Sequence, residues 1–145
     1  MQRVKRGRVT VKDHEVGSIN KGMVILLGVG KGDDMSHARY LAEKVVNLRL
    51  FEDEEGKMNL SLLDINAEAL VVSQFTIYGD CRKGRRPGFS DAAPPDKAEE
   101  LYKSFCSLIE EKGINVEKGE FRAMMVVEII NDGPVTFMLD SNKNF

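Results

Sequence analysis

Ser73, Thr76, Ser90 and Thr136 are candidate hydroxyl nucleophiles for attack on a carbonyl carbon. A hydroxyl is a poor nucleophile until a base takes its proton. The only two histidines are His14, in an early hairpin turn, and His37, near a helix start. Both read as solvated surface residues. This argues against a Ser-His-Asp set, although such a set can be scattered along a chain. Cys81 and Cys106 are single and far apart, with no CxxC between them. Neither a disulfide framework nor a zinc site is expected from that spacing. No metal and no other cofactor is expected.

Two short stretches carry unusual residue choices. "SQFT" (73–76) closes an apolar run with small polar groups, and "NDGPVT" (131–136) sets Gly133-Pro134 at the start of a strand-like run. Glycine lets backbone approach another group closely, and proline fixes φ and offers no N–H. Each stretch has a plain reading. Residues 73–76 would be the polar end of a strand with Phe75 in the core, and 133–134 a turn into an edge strand. Each also has a functional reading, in which both line one reactive site. The residues alone favour the plain one. "GVGKGD" (28–33) lacks the spacing of a phosphate loop and reads as a tight strand-to-helix turn.

The elements that must hold these residues can be traced from the pattern. Alternation over 4–12, a turn at Asp13-His14, Val16 and Ile19, a turn at 20–22 and the apolar run 23–29 suggest a three-stranded antiparallel meander. Asp34 is placed to cap a helix over 35–48 whose buried face is Ala38, Leu41, Val45 and Leu48. A short strand, an acidic turn at 54–56 and a return follow, then a strand over 68–75. Residues 79–95 form a long aperiodic loop, of the kind that in a compact protein is usually functional or disordered. Pro94-Pro95-Asp96 opens a second helix with face Ala98, Leu101, Tyr102, Phe105, Leu108 and Ile109, stopped at Gly113. Two strands, near 123–130 and 134–140, end the chain. The expected class is α+β, with a mostly antiparallel, barrel-like sheet and two main helices in one domain spanning 1–145.

Composition narrows the function classes. The 145 residues are 42% hydrophobic, enough for a real core, and the net charge of −2 excludes a generally basic nucleic-acid binder. Basic residues are nevertheless clustered, at Arg3, Lys5, Arg6, Arg8 and Lys12 and again at Arg82, Lys83, Arg85 and Arg86. Such patches suit a polyanion touching one place. The longest apolar run, 23–30, is far short of the ~20 residues of a membrane span. No signal-peptide pattern follows Met1, so a cytoplasmic protein is expected.

The pair "SQFTIY" and "NDGPVT", with "VNLRLFEDEEGKMNLSLLDI" and "GDCRKGRRPGFSDAAPP" in order and spacing, resembles the D-aminoacyl-tRNA deacylases across essentially the whole chain. That resemblance implies a cytoplasmic homodimer that hydrolyses the ester of D-aminoacyl-tRNA, and of some glycyl-tRNA, at a site on the subunit interface. It implies that Ser73, Gln74, Phe75 and Thr76 line the pocket. It implies that Gly133 and Pro134 reach in from the partner as a chiral gate, with Asn131, Val135 and Thr136 completing the second motif and Arg3 supporting it. Family members carry a few more residues ahead of the segment seen here as Gln2-Arg3-Val4, so this chain is expected to start inside its first strand. The expected chemistry is backbone N–H stabilisation of an oxyanion around Gln74 and Phe75, with Thr76 nearby and help from the substrate's own ribose hydroxyl. Arg82, Lys83, Arg85 and Arg86 would meet tRNA phosphates, or else form a solvated loop with internal ion pairs. The alternative function is a non-catalytic dimeric module that binds nucleic acid.

Overall fold

The computed structural model describes residues 1–144. Its first strand, β1 (Gln2–Val11), turns at Lys12 and Asp13, both with positive φ, into β2 (His14–Ile19). Two residues in the left-handed region give a turn whose twist matches that of the flanking strands. The meander does not continue as expected. β3 (Gly22–Leu27) runs on in the line of β2, so that Gly7–Val11 pair with β2 while Gln2–Val4 pair with β3. The turn signal at 20–22 marks a bend in one long arm. The bend lets β3 meet β6 (Glu68–Ser73) in parallel, in register from Gly22 opposite Glu68 to Leu27 opposite Ser73. Residue 22 must be glycine, because a Cβ there would collide with the Glu68 backbone.

β6 pairs in parallel with β7 (Val116–Lys118) as well, and β1 pairs antiparallel with β8 (Val126–Thr136). The result is a mixed, nearly closed sheet in an α+β protein, with the antiparallel pairings all made by β1. Parallel neighbours need crossovers, and these are the two main helices, α1 (Met35–Asn47) after β3 and α3 (Pro95–Glu110) after β6. The Asp34 side chain accepts from the Ser36 and His37 N–H groups and caps α1 as expected. Between the helices lie a small hairpin, β4 (Phe51–Glu52) and β5 (Met58–Leu60), and one turn of helix, α2 (Leu62–Ile65).

The sheet separates two cores. On the helical side Met23, Ile25, Val45, Val71, Phe105 and Ile109 pack together. Inside the curl of β1, β2 and β8 lie Val4, Val9, Ile19, Val24, Leu70 and Val72. β6 serves both, alternating Ala69 and Val71 to one side with Leu70 and Val72 to the other. Tyr102 on α3 donates its hydroxyl to the Val71 carbonyl at 2.9 Å, tying helix to strand. No helix is long and apolar enough to cross a membrane among the described residues.

The end of the chain differs from expectation. A single strand, β8, runs through Gly133-Pro134, whose peptide bond is cis. It can do so because its pairing to β1 jumps: Val4 opposes Asn131 and Gln2 opposes Thr136. Two steps of β1 face five of β8, so residues 132–135 bulge out of the ladder. A proline, which has no N–H to give, is accommodated where no ladder bond is required.

Candidate functional site

β6 delivers the chain to the carboxyl ends of the parallel strands, where crevices in such sheets commonly hold ligands. Gln74 donates its N–H to the Leu27 carbonyl at 2.8 Å, and the backbone then coils into a short 3₁₀ turn, Phe75–Tyr78. The first N–H groups of any helical turn lack an internal acceptor. Here the N–H groups of Phe75 and Thr76 have no acceptor among the described residues. Of the expected donors, the Gln74 N–H is occupied, whereas that of Phe75 is not, and the Thr76 N–H beside it is likewise without an acceptor among the described residues. The Gln74 carboxamide donates to the Thr76 hydroxyl oxygen.

Phe75 is 57% exposed and does not belong to the core. It packs edge-on against Phe89 with ring centroids 5.0 Å apart. Around them opens a cleft of about 730 Å³, lined by Ser73, Gln74, Phe75, Thr76, Phe89, Ala92, Ala93, Phe121, Met124 and Met125. Its walls come from the long loop after β6 and from the segment joining β7 to β8. The "GVGKGD" turn braces the first of these: Asp33 accepts from the Gly30 N–H at 2.8 Å, Lys31 donates to the Asp91 carbonyl, and Ala93 donates to that of Val29. It is a strand-to-helix turn, as expected.

Among the described residues, none of those lining the cleft with Thr76 is a His, Asp, Glu or Lys. His14 is exposed on β2, and His37 sits in the α1 cap, where its Nδ1 accepts from the Asp34 N–H. Ser90 is exposed in the long loop and Thr136 lies at the end of β8. Cys81 is exposed and Cys106 buried. Among the described residues no three His, Cys, Asp or Glu side chains gather as a metal site requires.

The basic loop is a small hairpin closed by two backbone bonds between Asp80 and Gly88. Arg82 grips the Asp80 carboxylate with Nε and a terminal nitrogen, at 2.8 and 2.7 Å. That grip holds the Asp80 carboxyl well below the usual carboxylate range. Lys83, Arg85 and Arg86 are exposed and make no ion pair among the described residues.

The second motif forms its own cluster at the shared end of β1 and β8. Arg3 is 6% exposed, and its guanidinium donates to the Leu50 and Asp132 carbonyls and pairs with Asp132 at 3.3 Å. Asn131 donates to the carbonyls of Arg3 and Val135, and Val135 is buried while Gly133, Pro134 and Thr136 are exposed. None of these residues lines the cleft of its own chain. Residues 73–76 therefore lie at the cleft, and Arg3 and 131–136 form a separate cluster that is no part of its lining. Sequence reasoning missed Phe89 and the 121–125 wall. The sign for the latter was an aperiodic "EFRAMM" carrying Met124, 91% exposed.

Fold and site together define a barrel-like α+β protein with a largely apolar cleft on a strand end, bordered by backbone N–H groups that have no acceptor among the described residues. The family model for D-Tyr-tRNA(Tyr) deacylase matches residues 1–140. The D-aminoacyl-tRNA deacylase of Thermosipho africanus is 58% identical over 145 residues, covering all of this chain and 97% of that protein. Among solved structures, the c-Myc DNA unwinding element binding protein matches with a TM-score of 0.89 at 39% identity, covering 96% of this chain and 95% of that one. A probable eukaryotic D-amino acid tRNA deacylase shares the fold, with a TM-score of 0.80 at 19% identity and 96% coverage of both chains. The chain belongs to the D-Tyr-tRNA(Tyr) deacylase family and is an enzyme of the hydrolase class.

Proposed function

We propose that the protein hydrolyses the ester of D-aminoacyl-tRNA, releasing D-amino acid and tRNA, and accepts some glycyl-tRNA. The observation that carries this is the pair of N–H groups, on Phe75 and Thr76, that have no acceptor among the described residues and stand at the edge of a cleft whose described lining holds no base. An aminoacyl ester is reactive enough to need positioning and oxyanion stabilisation more than a nucleophile. Water adds to the ester carbon, the two N–H groups hold the developing oxyanion, and the neighbouring ribose hydroxyl assists. The bond to the ribose oxygen breaks and that oxygen takes up a proton. Ser73, Gln74, Phe75 and Thr76 are the pocket residues, and Thr76 is no nucleophile in this scheme.

Handedness is read by the carbonyls of Gly133 and Pro134, reaching from a second copy of the chain in a homodimer. They stand where an L side chain would have to go, while a D residue or glycine puts only hydrogen there. Rejection by clash leaves the D side chain largely uninspected. Two features support a partner's involvement. Residues 133 and 134 are exposed and do not line the cleft of their own chain. The outward face of β8 also carries exposed Val126 and Ile130. Lys83, Arg85 and Arg86 meet tRNA phosphates, and the enzyme acts in the cytoplasm as one domain. The alternative, a dimeric module that binds nucleic acid without catalysis, draws on the name of the 39% identical structure. The test is incubation with D-Tyr-tRNA and L-Tyr-tRNA, following release of amino acid. Selective release from the D form is expected. Binding of tRNA with no release from either would leave the alternative standing.

A further inference from the structure

The 132–135 bulge must keep a defined shape if its carbonyls are to exclude anything, and a bulge of three extra residues has no ladder of its own to hold it. The structure supplies an internal strap. The Asn131 carboxamide nitrogen donates to the Arg3 carbonyl across the strand pair at 2.9 Å, and to the Val135 carbonyl at the far foot of the bulge at 3.2 Å. One side chain therefore joins both ends of the bulge to each other and to β1. The oxygen of the same carboxamide lies against Gly133. A Cβ built on Gly133 would collide with the Asn131 side-chain oxygen. The space that glycine leaves is filled from within the bulge.

We infer that Asn131 is the positioning residue of the chiral gate, and that position 133 is held to glycine by the Asn131 carboxamide and not by the substrate alone. The inference rests on the proposed gating role of residues 133–134. It extends that role by assigning Asn131 no substrate contact: it acts by fixing the direction of the Gly133 and Pro134 carbonyls. Arg3 holds the Asp132 side of the same bulge through its bond to the Asp132 carbonyl at 3.1 Å. Asn131 is the group that closes the loop.

The test compares rates on D-Tyr-tRNA and L-Tyr-tRNA for the native enzyme, Asn131→Asp, Asn131→Ala, Gly133→Ala and the Asn131→Ala/Gly133→Ala double variant. Asn131→Asp keeps the size but removes both donors, so it decides the matter even should the alanine variant fold poorly; thermal melting of each variant reports that. The D-to-L rate ratio is expected to fall at least about tenfold in both Asn131 variants, the scale set by two ordinary hydrogen bonds. A purely structural loss would lower both rates together and leave the ratio in place. The damage done by Gly133→Ala should shrink in the Asn131→Ala background, because the colliding group is gone. A ratio within about twofold of native in Asn131→Asp, or an undiminished Gly133→Ala defect in the double variant, overturns the inference; additivity of this kind is what uncoupled sites give. Failure of the underlying reading looks different: the native enzyme itself would not distinguish the two substrates.

Discussion

Replacing Lys83, Arg85 and Arg86 together by alanine should change how tRNA binding depends on salt, and the structure says by how much. Four cations sit on the 80–88 hairpin, but Arg82 is already paired to both carboxylate oxygens of Asp80. Three remain to displace counterions from phosphate. Each contributes about 0.7–0.9 to the slope of log K against log salt, so the triple variant should lower the slope by roughly 2–3. Between about 50 and about 200 mM salt that difference amounts to a change of roughly 20- to 60-fold in the native protein's affinity that the variant does not show. Arg82→Ala should lower the slope by clearly less than any of the other three single changes. Asp80→Asn should raise it by up to about 1, since it frees Arg82 while the backbone bonds that close the hairpin remain. Fluorescence anisotropy of labelled tRNA over a salt series measures all of these. An unchanged slope in the triple variant would refute the assignment and return the cluster to a solvated loop.

Thr76→Ala should retain turnover within about tenfold of native, whereas a tRNA ending in 2′-deoxyadenosine should lose at least about a hundredfold, the range a general catalyst supplies; single-turnover release of D-tyrosine reads both. Phe105→Ala, at a site 1% exposed, should cost about 3–5 kcal/mol and lower the melting temperature by roughly 10 °C or more. Burial pushes the Cys106 thiol up to about 11 from an ordinary 9.0. A group with a raised folded-state pKa contributes stability fully present below its unfolded value, so stability should decline as pH rises from 9 towards 11, and less so in Cys106→Ala. Glu128 and Glu43 shift the other way, each held down by a basic partner, Arg8 and Lys112. Their contribution should be present above the ordinary glutamate range and fade as pH falls below it, measured as melting temperature against pH with Arg8→Ala as control. Cys81 should react at once with a thiol reagent and Cys106 only after unfolding.

The two helices were legible because their signals are local. Asp34, Pro94-Pro95 and Gly113 punctuate α1 and α3, and the apolar spacing between them predicts faces that do pack: Ala38, Val45, Leu101, Phe105 and Ile109 are buried. The strands were legible as strands but not as partners. β3 and β6 are apolar along most of their length because both faces are covered, and nothing in such a run says that its neighbour is parallel. The bend at 20–22 and the bulge at 132–135 both looked like ends of elements. Gly22 and Gly133-Pro134 are the usual marks of a turn, and only register against β6 and β1 shows that the strand continues. At the site, residue types drew attention to 73–76 and 131–136. The state of each N–H was invisible, since the bond from Gln74 to Leu27 depends on the parallel pairing. The plain reading put Phe75 in the core by its hydrophobicity alone, against the pocket position that the family resemblance implied, and Phe89, which gives it a surface partner, lies in a loop without periodicity.

β6 is a wall shared by two rooms, with Ala69 and Val71 facing one and Leu70 and Val72 the other. Residues 73–76 hang from the end of that wall. A change of volume behind it, at Phe105 on one side or at Val9 on the other, bears on the same strand and reaches Ser73 and the cleft from opposite directions. Paired changes in the two interiors can therefore cancel at the site, and the amino acids filling one of them are free to drift only as far as those in the other follow.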